Sequence, residues 1–162
     1  MKVQDAMSKK VTSVKTSTPV KEVSKLIFKQ KINGVPVVNN KKVVGFITER
    51  DILQMFYPTF QEFFEDPVHT RDFEGMEKRV SEVFAMRAEK IMSKNVTTVT
   101  ADTPLLKAQS LMLSHKVGRL PVVDEKGNLI GILAKGDVFN ALIGRNFTPH
   151  SRLHPKNFAD KK

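Results

Sequence analysis

The chain has no cysteine among its 162 residues. That excludes disulfides, thiolate metal centres and a cysteine nucleophile, and it fits a cytoplasmic protein. No apolar run approaches the ~20 residues that a membrane helix requires, and no signal-peptide pattern follows Met1, so no membrane association is expected. Gly-rich phosphate loops, paired catalytic carboxylates and a Ser-His-Asp set are all missing, and the glycine at Gly45 does not begin a G-x-G-x-x-G fingerprint. An enzyme is therefore not expected. Tyrosine occurs once, at Tyr57, and acidic residues are the scarcer charge, 17 against 27 Lys and Arg, for a net charge of +10.

The basic excess is uneven. Residues 1–53 carry 11 Lys/Arg against 4 Asp/Glu, residues 54–87 carry 4 against 7, residues 88–142 carry 7 against 5, and the tail from 143 carries 5 against 1. A surplus of this kind suits nucleic acid, anionic lipid or a phosphorylated small molecule, and it equally suits plain solubility.

What the chain has in abundance is self-similarity. Laid with Met7 on Met92, "MSKKVTSVKTSTPVKEVSKLIFKQKINGVPVV" matches "MSKNVTTVTADTPLLKAQSLMLSHKVGRLPVV" without a gap from Val38 back to Met7. One extra residue falls near Gly127, and the frame resumes with Gly45 over Gly131 and Asp51 over Asp137. Each copy reads β-α-β-β-α. The strand pieces "VTSV" and "VTTV" come first. Thr18-Pro19 and Thr103-Pro104 then suit a helix N-cap and first helical position. Val20, Val23, Leu26 and Ile27 form one helical stripe, repeated as Leu105, Ala108, Leu111 and Met112. Two strands around a polar turn follow, and a helix begins near Thr48 and near Ala134. Neither unit, at roughly 50 residues, buries enough surface to stand alone, so the two are expected to pack around a pseudo-twofold axis in an α/β (α+β) fold.

The landmarks "M-S", "T-P", "h-P-V-V" and "G-h-h-T-x-x-D", in this order and duplicated, resemble a CBS domain pair, or Bateman module. The resemblance covers residues 1–53 as one repeat and 88–142 as the other, leaving an insertion at 54–87 and a basic tail at 143–162. It implies a regulatory ligand-binding module with an adenine nucleotide (AMP, ADP or ATP) or S-adenosylmethionine in a central cleft. It also implies a homodimer and a separate effector protein that reads the signal. A nucleic-acid-binding protein and a ligand-free dimerisation scaffold are the rival readings.

"GFITERD", Gly45 to Asp51, is where function and folding compete. Thr48 and Asp51 have the spacing of a helix cap worth about 1 kcal/mol with no ligand. In the second copy, "GILAKGD", Ala134 cannot cap, while Asp137 remains. The other reading is a carboxylate that accepts from both hydroxyls of a ribose, beside a helix start that suits an anion. By resemblance, Thr48 and Asp51 hold ribose and phosphate, Phe46 and Ile47 line the adenine or ribose wall, and Asp137 with Ile132 matches in the second copy. Arg119 stands where the family places a phosphate-binding cation, and the first copy departs with Gly34 there. Thr97, expected in the second unit's first strand, is implied to approach the adenine. His115 sits where a cation suits a helix C-terminus.

The insertion holds six of the eleven phenylalanines. It reads as helical, continuing the preceding helix to about Tyr57, breaking at Pro58, and resuming with Met76, Val80, Val83, Phe84 and Met86 on one stripe. Packing within the chain and a contact between copies are both open for it. His150 and His154 in the tail have helical metal-ligand spacing, but flanking prolines and the lack of a third ligand argue against a metal.

Overall fold

A computed structural model describes residues 1–57, 64–65 and 73–146. Pro58, His150 and His154 lie outside the described residues, as does the side chain of Met76. Two three-stranded sheets are present. In the first, β1 (Val14–Lys15) runs parallel to β2 (Gly34–Asn39), which pairs antiparallel with β3 (Lys42–Thr48). In the second, β4 (Val99–Thr100), β5 (Arg119–Val123) and β6 (Leu129–Ala134) repeat that arrangement. Helices α1 (Val20–Gln30) and α5 (Leu105–Ser114) make the parallel crossovers, and α2 (Glu49–Gln54) and α6 (Lys135–Asn146) follow the hairpins. Between the units lie α3 (Phe73–Ala85) and the short α4 (Ala88–Ile91).

The helical stripes face two cores as the periodicity requires. Val20, Val23 and Ile27 are buried in one and Leu105, Ala108 and Met112 in the other, while Leu26 and Leu111 pack at the margins. The opening strands are shorter than expected: of "VTSV" and "VTTV" only the last valine of each pairs. Thr97 therefore lies two residues ahead of β4, not in a strand. The Thr-Pro pair also works differently. Pro19 and Pro104 are themselves the N-caps, and each threonine hydroxyl folds back to accept from the backbone N–H three residues earlier, Lys15 at 3.0 Å and Thr100 at 3.2 Å.

The leading segment of each repeat packs on the opposite core. Val3 is fully buried with Val99 and Leu105 of the second unit, and Ala88 is fully buried with Val20 and Val35 of the first. Backbone bonds fix both crossings. Val3 N–H donates to Thr103 and Leu105 N–H to Met1, while Ala88 N–H donates to Thr18 and Val20 N–H to Met86. Ser8 exchanges two bonds with Ile132 on β6, and Ser93 exchanges two with Phe46 on β3, all between 2.9 and 3.0 Å. The "M-S" signature is thus the contact itself. Met92 lies over Gly45 so closely that a Cβ there would fall inside its side chain, and a Cβ on Gly131 would meet Met7 Sδ at 2.7 Å.

The insertion joins the first core. Val83 is buried there, Phe84 stands edge-on to Phe56 with ring centroids 5.8 Å apart, and Met86 packs against the same cluster. Helix α2 stops at Gln54, three residues short of Tyr57, with a tightened turn at Met55, whose N–H reaches Ile52.

Candidate functional site

Strand β3 alternates, and that alternation sorts the expected residues. Phe46 and Thr48 line a cleft between the two units, whereas Ile47, between them, points into the first core and is fully buried. Ile47 therefore does not form part of the cleft wall. The cleft has a volume of about 700 Å³ and is also lined by Asp51, Thr97 and Arg119, so residues from both repeats meet in it. Ile132 and Asp137 do not line it; their pseudo-twofold equivalents, Phe46 and Asp51, do.

The cap and the candidate grip are the same group. Asp51 N–H donates to Thr48 Oγ1 at 3.2 Å, and Asp51 Oδ2 accepts from both the Thr48 N–H and the Thr48 hydroxyl at 2.7 Å. The box leaves Oδ1 without a hydrogen bond among the described residues, on a residue that borders the cleft. In the second copy, Asp137 Oδ2 accepts from the Ala134 N–H at 2.7 Å, the half of the box that survives without a threonine. The N–H of Glu49 and of Lys135 at these helix starts donates to Asn33 and Gly118 carbonyls, tying each helix to the residue that leads into β2 or β5.

Charge in the cleft is one-sided. Arg50, Lys116, Arg119 and Lys135 line it against Glu49 and Asp51. Arg119 opens β5 opposite Ala134 and is half-buried, and its side chain has no ion pair or hydrogen bond among the described residues. Its counterpart Gly34 has a packing reason. A Cβ at Gly34 would sit 2.6 Å from the Ile47 carbonyl oxygen and 2.8 Å from a Phe46 ring carbon. The Ile47 carbonyl and the Phe46 ring together occupy the room that a side chain at position 34 would need. Sequence reading found Arg119 but missed Arg50, Lys116 and Lys135, since only the folded cleft brings two helix starts and the segment ahead of β5 together. His115 is the exposed C-cap of α5, outside the cleft.

The CBS domain family matches the chain over residues 3–57 and 88–144, and the chain belongs to that family. Protein MJ1426 of Methanocaldococcus jannaschii is 32% identical over 155 residues, covering 88% of this chain and 92% of that one. The crystal structure of CBSX2 in complex with AMP, from Arabidopsis thaliana, superimposes with a TM-score of 0.70 at 30% identity, covering 90% of this chain and 98% of that one. Protein MJ1225 of Methanocaldococcus jannaschii superimposes with a TM-score of 0.73 at 25% identity, covering 87% of this chain and 47% of that chain. No helix among the described residues is long and apolar enough to cross a membrane.

Proposed function

We propose that this CBS pair is a regulatory module that binds an adenine nucleotide in the cleft between its repeats. The carrying observation is the Asp51 carboxylate, which keeps Oδ1 free at the border of a cleft shared by Thr48, Thr97 and Arg119. Asp51 and Thr48 take the ribose, Phe46 and Thr97 flank the base, and Arg119 with its neighbouring cations takes the phosphate. Support for the adenine comes from the similarity to CBSX2, crystallised with AMP. Support for a phosphate comes from four cations against two acids. By that balance AMP, ADP or ATP is favoured over S-adenosylmethionine, whose sulfonium is positive. The bound ligand touches both units, so it biases their relative packing by its differential affinity for the two arrangements. A separate effector protein reads that change, and the chain itself carries out no reaction.

Calorimetry with AMP on the wild type and on Asp51→Asn tests this reading. The asparagine oxygen still accepts the Thr48 bonds, so the helix start survives while the charged acceptor is lost. Hydrogen bonds to a charged group are worth about 1.5–3 kcal/mol, so a roughly 10- to 100-fold weaker affinity is expected. Equal affinity in the two proteins removes the assigned role. S-adenosylmethionine binding tighter than AMP reverses the choice of ligand.

A further inference from the structure

A second groove, of about 580 Å³, lies away from the nucleotide cleft, where the N-terminal segment crosses from one unit to the other. Lys9 and Ser13 of that segment, Lys15 and Ser17 at the end of β1, and Lys41 of the β2–β3 turn line it, over a floor that includes Ile130 of the second unit. Among the described residues no acidic one lines it. None of the three lysines has an ion pair among the described residues, where the recorded bridge is Lys25 to Glu22.

The internal repeat provides a control for this surface. In the frame that lays Met7 on Met92, Lys9 and Lys41 face Lys94 and Lys126, whereas Lys15 corresponds to Thr100, Ser17 to Asp102, Asn39 to Asp124 and Asn40 to Glu125. The corresponding stretch of the second unit, whose turn is one residue longer, thus carries three acids where the first carries none. The absence of acids is therefore not a demand of the fold. Lys41 adds a second observation. The Asn40-Lys41 turn is a two-residue hairpin with both φ values positive, 48° and 69°. Such a turn favours glycine at its second position, and the second copy's turn has a glycine at φ 80°, Gly127. A lysine held there in left-handed backbone keeps its charge at the groove against local preference.

From this we propose that the groove is a second anion site, separate from the nucleotide cleft, and that it takes a small phosphate-chain anion, pyrophosphate or longer. Three ammonium groups on three separate segments match a chain of phosphates better than a single one. Hydroxyls of Ser13 and Ser17 and the side-chain amide of Asn39 add neutral donors around the same space. Among the described residues the groove has no aromatic lining on which a base could stack, which disfavours single-stranded nucleic acid. Leu129 N–H donates to the Lys41 carbonyl at 2.9 Å, so an anion here lies across a joint between the two units.

Titration of the full chain with sodium tripolyphosphate, followed by calorimetry, tests the site. The variant Lys15→Thr, Ser17→Asp, Lys41→Gly gives positions 15 and 17 the second unit's residues, gives position 41 the glycine of its turn, and lowers the net charge by three. A control, Lys21→Thr, Lys90→Thr, Lys107→Thr, removes the same charge from exposed positions elsewhere. Tripolyphosphate affinity is expected to fall roughly tenfold or more in the first variant and to hold in the control and in Arg119→Ala. AMP affinity is expected to be unchanged in the groove variant. Equal losses in variant and control mean diffuse attraction to a basic protein and overturn the site. Loss only in Arg119→Ala places the anion in the nucleotide cleft and overturns it too. A short single-stranded oligonucleotide that binds through Lys15 and Lys41 while tripolyphosphate fails to compete replaces the proposed ligand with nucleic acid.

Discussion

Lys31 and Lys116 hold equivalent places at the ends of α1 and α5, and both sit in left-handed backbone, with φ of 51° and 54°. A glycine at either position removes the steric cost of a Cβ there, offset in part by the extra freedom it gives the unfolded chain. Lys31→Gly and Lys116→Gly are each expected to stabilise by up to about 1 kcal/mol, measured by urea unfolding. The two part company on ligand. Lys116 borders the cleft between the units and Lys31 does not, so under the proposed function only Lys116→Gly is expected to weaken AMP. Acid response also belongs to single residues. The Thr100 hydroxyl holds the Asp102 carboxyl below the usual carboxylate range, and the Asn128 side chain does the same for Asp124. A depressed folded-state value means that the stabilising effect is present above the unfolded pKa of about 4 and is lost as pH falls through the lower folded value. Asp124→Asn should flatten the part of the acid unfolding curve below pH ~4, while leaving stability at neutral pH governed by its turn bonds.

The exchange of leading segments sets the behaviour of whole elements. Val3 precedes the first repeat in sequence yet is buried in the second core. Val3→Ala is expected to cost about 1.5–3 kcal/mol and to lower amide-exchange protection in α5, β5 and β6 more than in β2 and β3. Greater loss in the first sheet would place the residue in the wrong core. Much of this architecture is legible in the amino-acid order. The helical stripes, the two hairpins and the Thr48–Asp51 cap follow from period and side-chain chemistry, and they appear in the structure. The crossing of segments is not legible, because "M-S" carries no mark of which glycine it will cover. That choice is made by chain connectivity and packing between units. Short β1 and β4 were hidden for a similar reason: β-branched residues favour extended backbone, but pairing ends where the chain leaves the sheet for the other unit. The cleft was half legible. Thr48, Asp51 and Arg119 sit in local motifs, whereas Arg50, Lys116 and Lys135 converge only through folding, and Ile47 falls outside the cleft because alternation along β3 turns it into the core.

At the scale of the molecule, the outer faces of the helices repeat as faithfully as the inner ones. Phe28 on α1 and Leu113 on α5 occupy matching positions and are 83% and 64% exposed, and Leu53 on α2 matches Phe139 on α6 at 48% and 63%. Large apolar side chains left in water at two symmetry-related pairs of places favour burial against a further surface. In an isologous contact with a second copy of the chain the same patch would meet on both subunits. Replacing Phe28 and Leu113 with lysine puts two charges into that contact without touching either core. Sedimentation equilibrium is then expected to show a dimer for the wild type and a monomer for Phe28→Lys/Leu113→Lys, with AMP affinity per chain retained because neither residue borders the cleft. A wild type that stays monomeric at high concentration would remove the assembly and leave these side chains as exposed surface. A double variant that stays dimeric would move the contact elsewhere on the surface.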